Sequence, residues 1–135
     1  MTYLLDVNAL LALGFQQHEF HTSVACWVKL LPRDDDLATC AITELGFVRV
    51  LAQAPQFRIQ VEHGCALLRK LKESPVRRFC FINDGSGVER LPSWVTTARQ
   101  TTDGHLLALA EEHSAQLATL DQRIPGAFQI PMHEE

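Results

Sequence analysis

Short apolar runs alternate along this chain with longer stretches of helical period, and several of those runs end at an acid. Tyr3–Leu5 is closed by Asp6, Leu37–Cys40 is the second run, Arg78–Ile82 the third, and Leu117–Leu120 is closed by Asp121. Between them the spacing predicts helices. The first runs from about Asn8 to Gly14, whose glycine is a natural stop. In His18–Leu31 the residues Phe20, Val24, Trp27, Val28 and Leu31 recur three or four apart, before Pro32 and Asp34–Asp36 close the pattern. Ile42–Ala52 ends ahead of Pro55, and Ile59–Leu71 ends ahead of Ser74 and Pro75. Asp103–His113 follows Thr102 as its cap, and Phe128–Ile130 reads as a last edge strand. Only Val88–Gln100 is poor in signals; there Pro92 can open a short helix around Trp94.

Strands alternating with helices imply an α/β fold: a central parallel β-sheet flanked by helices on both faces. Parallel strands all present their carboxyl ends at one edge, where such folds place their ligands. Asp6 and Asp121 fall on that edge directly. Glu44 lies one turn into the helix leaving the second strand, and Asp103 lies at a helix start, where the helix dipole favours an anion. Each acid also has an ordinary local use. Asp6 or Asn8 can cap a helix, Asp103 suits a first turn, Asp121 suits a turn after a strand, and Glu44 can simply be solvated. Taken together they say more. Glu44 is flanked by Ile42, Leu45 and Phe47, and Asp103 precedes Leu106, Leu107 and Leu109, so both sit near buried faces where an unpaired charge is costly. Converging carboxylates repel and call for a cation between them, which points to a hard ion, Mg2+ or Mn2+.

The 135 residues fit a single domain, 1–135, long enough to bury a core without disulfides. A net charge of -4 gives no general attraction to nucleic acid, so any RNA contact must come from metal ions or a local basic surface. Arg69, Lys70, Lys72, Arg77 and Arg78 form the one basic stretch, opposed by Glu73. It can track an RNA backbone, with Arg77 and Arg78 as RNA-binding candidates, or be a solvated helix end. Cys26, Cys40, Cys65 and Cys80 form no CxxC pair; Cys26, Cys40 and Cys80 lie among apolar residues and read as buried free thiols. Reduced thiols, the lack of a basic leader and the lack of a membrane-length apolar run suggest a soluble cytoplasmic protein with no membrane contact. His18 and His21 have no further ligand at zinc spacing. His105, two residues after Asp103, does not share its helix face. Trp27 reads as core, while Trp94 is either packed or free to stack on a base.

The segments DVNALLAL, AITELGFVRVL, TTDGHLLALA and LATLDQRI, in this order and spanning nearly the whole chain, resemble PIN-domain proteins, and VapC-type toxins of bacterial toxin–antitoxin pairs in particular. The resemblance implies a PIN-like fold and a metal-dependent endoribonuclease. Asp6, Glu44, Asp103 and Asp121 would be its catalytic, metal-binding acids, with Asn8 and Thr119 as polar supports. Bound Mg2+ or Mn2+ would activate water for in-line attack on a phosphodiester, leaving a 5′-phosphate and a 3′-hydroxyl. It also implies three partners: an RNA substrate, a second copy in a homodimer, and a VapB-like antitoxin. The antitoxin's tail would lie in an apolar groove near the first helices, lined by Leu13, Phe15 and Phe20, and push an Arg or Lys toward the acids. Two departures stand out: Gln122 and Arg123 occupy places where a further acid often follows, and Phe79–Pro92 matches only loosely. Other readings are a PIN-fold ribonuclease of RNA processing and a non-catalytic PIN binding module, against which the intact acids speak. An aspartyl-phosphate enzyme needs a late lysine, and the lysines here are Lys29, Lys70 and Lys72; DVN also lacks the second aspartate of such phosphatases.

Overall fold

The computed structural model describes residues 1–133. Five strands form one sheet in the order β3-β2-β1-β4-β5, with every neighbouring pair parallel. They are β1 (Thr2–Leu5), β2 (Asp36–Cys40), β3 (Phe79–Ile82), β4 (Gln116–Thr119) and β5 (Phe128–Gln129). The helices are α1 (Val7–Gly14), α2 (His21–Leu30), α3 (Ala41–Gln53), α4 (Val61–Lys72) and α5 (Thr101–Glu112).

Side chains alternate along each strand, so the sheet builds two cores. Leu5, Leu37 and Ala118 pack with Leu10, Val24, Phe47, Leu51 and Leu68 of α1–α4 on one face. Leu4, Ala38 and Leu117 pack with Leu106, Leu109 and Ala110 of α5 on the other. Helices cover both faces because β1, β2 and β3 are joined across the first and β3 to β4 across the second. Helix α1 buries Ala9, Leu10, Leu11 and Ala12 in succession, as a helix wedged between a sheet and other helices must. Trp27 belongs to the first core, edge-on to Tyr3 at 5.1 Å and stacked on Phe128 at 5.5 Å.

Four details differ from the sequence expectations. No helix forms around Trp94; turns Val88–Arg90 and Ala98–Gln100 take 3-10 form instead, and Trp94 packs against the second core. Thr102 is not the cap of α5. The 3-10 turn runs straight into the helix, Thr101 is already helical, and the capping bonds sit upstream, where Thr96 and Thr97 N–H groups donate to Gln100 Oε1. Helix α2 begins at His21 rather than His18, because the His18 ring Nδ1 accepts the Phe20 N–H and holds that stretch in a turn. Cys80 is exposed and Cys26 only half-buried, leaving Cys40 as the buried thiol. Cys80 lies on β3, an edge strand with one neighbour, and its apolar sequence surroundings do not reach round that edge. Among the described residues no helix is long and apolar enough to cross a membrane.

Candidate active site

Asp6 sits between β1 and α1 and caps that helix, accepting the Ala9 N–H at 2.8 Å through Oδ1. Its other oxygen accepts the Thr119 hydroxyl at 2.5 Å, and Thr119 Oγ1 in turn accepts the Asp121 N–H at 2.9 Å. The last residue of β4 thus locks the carboxylate following β1 to the backbone of the acid following β4. The adjacency of β1 and β4 makes that lock possible. Asp6 is buried, at 5% exposure. Burial pushes its carboxyl up to about 6 against the two hydrogen bonds, and the nearby Asp103 and Asp121 charges add to the rise.

Asp103 lies in the first turn of α5, which is brought to the site by close packing: a Cβ on Gly104 would collide with the Val95 side chain. Burial raises the Asp103 carboxyl, and Asp121 raises it further. Asp121 behaves oppositely. Arg123 donates to it from Nε and Nη2, both at 3.0 Å, and from its backbone N–H at 2.9 Å, and this holds the carboxyl below its usual range. Three aspartates therefore feel one another at the carboxyl edge of the sheet, as the strand directions require.

Glu44 stands apart from them. It lies in the first turn of α3, and its Oε2 accepts both the Thr39 hydroxyl and the Lys72 ammonium, each at 2.6 Å. Thr39 alternates with Ala38 and Cys40, which face α5, so it points to the face carrying α3 and α4. Thr119 alternates with Ala118, which faces α1–α4, so it points toward α5. Asp6 and Glu44 are thus anchored from opposite faces of the sheet. Two of the acids have a basic partner of the chain's own: Lys72 pairs with Glu44 and Arg123 with Asp121. Lys72 left no local signal, being 28 residues from Glu44, whereas Arg123 follows Asp121 at the spacing of a side-chain-capped turn.

Arg77 and Arg78, expected as RNA contacts, lie at the opposite, amino edge of the sheet, before β3, and both make contacts within the chain. The Arg77 guanidinium donates to the carbonyls of Val28, Leu31, Pro32 and Asp35 at 3.0, 2.9, 2.6 and 3.1 Å. Arg78 forks onto Asp36 at 2.9 and 2.6 Å and keeps that carboxyl low. Lys72 pairs with Glu44, while Arg69 and Lys70 of the same basic stretch are exposed. His105 pairs with Asp84 at 2.5 Å, tying the loop after β3 to α5.

Asn8 is exposed and lines two adjoining clefts together with His18 and Glu19. The larger, of about 1370 Å³, runs between the α1–α2 connection and α3–α4 and includes Leu13, Phe15, Phe57, Ile59, Leu67 and Leu71. The smaller, of about 540 Å³, includes Phe20 and ends at Asp121 and Arg123.

The donors at the edge are all carboxylate oxygens, the set that suits a hard divalent ion and not a soft one. Burial first, and neighbouring carboxylates second, raise the Asp6 and Asp103 carboxyls. As the side chains stand, no three His, Cys, Asp or Glu groups among the described residues are gathered tightly enough to grip an ion. The residue chemistry fits a divalent ion, while two of the acids are held by the chain's own cations. Fold and site together define an α/β protein with aspartates at the carboxyl edge of a parallel sheet, one of which, Asp121, opens onto a cleft.

The PIN-domain family model matches residues 3–127, and the chain belongs to that family. It is similar to ribonuclease VapC44 of Mycobacterium tuberculosis, 37% identical over 94% of this chain and 94% of that one. Ribonuclease VapC39 of the same organism is 32% identical over 90% of this chain and 89% of its own length. Among solved structures, VapBC2 from Rickettsia felis, bound to a DNA fragment from the promoter, matches with TM-score 0.65 and 16% identity over 96% of this chain and 97% of the matched chain. The sarcin-ricin loop cleaving toxin VapC20 of M. tuberculosis matches with TM-score 0.61 and 13% identity, over 90% and 92% of the two chains. At these identities the structures speak for the fold alone.

Proposed function

We infer that this chain is a VapC-type toxin: a cytoplasmic, metal-dependent endoribonuclease, working as one domain and kept silent by a VapB-like antitoxin. The observation that carries the reading is the placement of Asp6 and Asp121 after neighbouring parallel strands, joined through Thr119, with Asp103 near enough for its charge to act on Asp6. The similarity to the VapC44 and VapC39 ribonucleases supports RNA as the substrate.

Asp6, Asp103, Asp121 and Glu44 would hold Mg2+ or Mn2+. When bound, the ion supplies charge neutralisation at the phosphate and activates water for attack. Thr119 fixes Asp6 by donating to Oδ2, which leaves the orientation of both carboxylate oxygens set before substrate arrives. Asn8, exposed beside Asp121 in the smaller cleft, is placed to meet the substrate backbone. The larger cleft supports the antitoxin assignment: it is apolar along Leu11, Phe15, Phe57 and Leu71, and it joins the acid edge through Asn8, His18 and Glu19. A homodimer is part of the same reading, and light scattering of the free protein tests it.

The decisive test is cleavage of total cellular RNA by antitoxin-free protein with Mg2+, Mn2+ or EDTA, beside Asp103→Asn. Metal-dependent cuts bearing 5′-phosphates, lost in EDTA and reduced at least about a hundredfold in the variant, are the expected result. Undiminished cutting in EDTA, or by Asp103→Asn, overturns the reading.

A further inference from the structure

Lys72 is the last residue of α4, yet its ammonium reaches across to the first turn of α3 and ends 2.6 Å from Glu44 Oε2. It is not a loose surface cation. The ammonium lies 5.6 Å from the centre of the Phe81 ring, and the side chain is 31% exposed against 24% for Glu44. The same Glu44 oxygen accepts the buried Thr39 hydroxyl at 2.6 Å. That oxygen therefore carries two donors from two elements, and both draw Glu44 toward the face of α3 and α4. The aspartates feel one another, and Glu44 is absent from the charges that shift them. Arg123, the other internal cation, differs in kind: it is 81% exposed and pairs with a residue two positions away, so solvent screens it heavily.

We propose that Lys72 is a positioning residue of the ribonuclease site: its ammonium holds Glu44 in the free protein and competes with a divalent ion for that carboxylate. This rests on the ion-binding reading above. A lysine at hydrogen-bond distance opposes an incoming divalent charge and occupies an oxygen the ion would use. Ion entry then requires Glu44 to leave Lys72, which makes occupancy of the site depend on how firmly α4 is docked against α3.

Titration calorimetry of antitoxin-free full-length protein with Mg2+, and separately with Mn2+, tests this. Lys72→Met is expected to bind the ion roughly three- to tenfold more tightly than wild type, the size of effect a half-exposed ion pair supports. Lys72→Arg, which keeps the charge, is expected to restore the wild-type affinity. In a Glu44→Gln background the Lys72→Met gain is expected to vanish, because the coupling runs through that carboxylate. Lys72→Gln serves as a second neutral variant if Lys72→Met melts at a lower temperature than wild type. Unchanged or weaker binding in folded neutral variants overturns the proposal alone, as does an equal gain in the Glu44→Gln background. If neither wild type nor the neutral variants give a binding heat that Asp6→Asn abolishes, the ion-binding reading fails and the proposal falls with it.

Discussion

Asp6 carries the largest electrostatic strain in the molecule. Its carboxyl rises from 3.8 to about 6, through burial first and the neighbouring aspartates second. The sign of the resulting pH dependence follows directly. A carboxyl whose folded pKa exceeds its unfolded one favours the fold when protonated, so its contribution is fully present below about pH 4 and is lost as pH rises through about 6. That loss amounts to roughly 3 kcal/mol. Asp6→Asn is therefore expected to stabilise ion-free protein by about 2–3 kcal/mol at pH 7.5, with the gain fading between pH 6 and 4. Thermal melts of both proteins across that range check it, and a gain that persists at pH 4 refutes the assignment. Arg77 is the opposite case, a charge employed purely in structure. Five carbonyls, from the end of α2 and the turn before β2, converge on its guanidinium, that of Arg33 the most distant at 3.5 Å. Arg77→Met removes the guanidinium donors, leaving Val28 and Pro32 only the Leu31 and Asp35 N–H groups, and is expected to destabilise by about 2–4 kcal/mol in urea titration, with ribonuclease activity per folded molecule unchanged. The intramolecular partners of Arg77 and Arg78 were not legible beforehand, because sequence reports charge and not what the charge touches.

Helix placement depends on close approaches at glycines. At Gly46, a Cβ would meet Val7 Cγ2 at 2.6 Å, so α3 can lie against α1 only without a side chain there. Gly46→Ala is expected to cost about 1–3 kcal/mol and to lower RNA cleavage, since Glu44 lies two residues upstream on the same helix. Val7→Ala in that background opens the contact and is expected to recover part of both, measured by urea titration and cleavage rate; no recovery would locate the effect elsewhere. Most elements were legible because their apolar periods are clean: Ile42–Ala52 against the observed Ala41–Gln53, and Asp103–His113 against Thr101–Glu112. The segment around Trp94 was not. Its 3-10 turns are too short to develop a period, and they are held by packing on Gly104 and by the Gln100 side chain.

Across the whole molecule, ion binding and folding should be linked. An ion that binds only the folded state stabilises it by about 2.7 kcal/mol at a hundred times its Kd, several degrees in Tm for a chain of this size. Mg2+ is expected to raise the melting temperature of wild type, EDTA to reverse the rise, and Asp103→Asn to abolish most of it. An equal rise in that variant would place the ion elsewhere. The sequence by itself determined the alternation of strands and helices, the parallel sheet, and the position of Asp6 and Asp121 at its carboxyl edge. Those follow from local period and from the one direction in which parallel strands run. Only the tertiary structure decided which face each acid is held from, and which cation meets it. Lys72 reaches Glu44 across 28 residues, and Arg78 reaches Asp36 across 42, through crossovers whose packing no local spacing encodes.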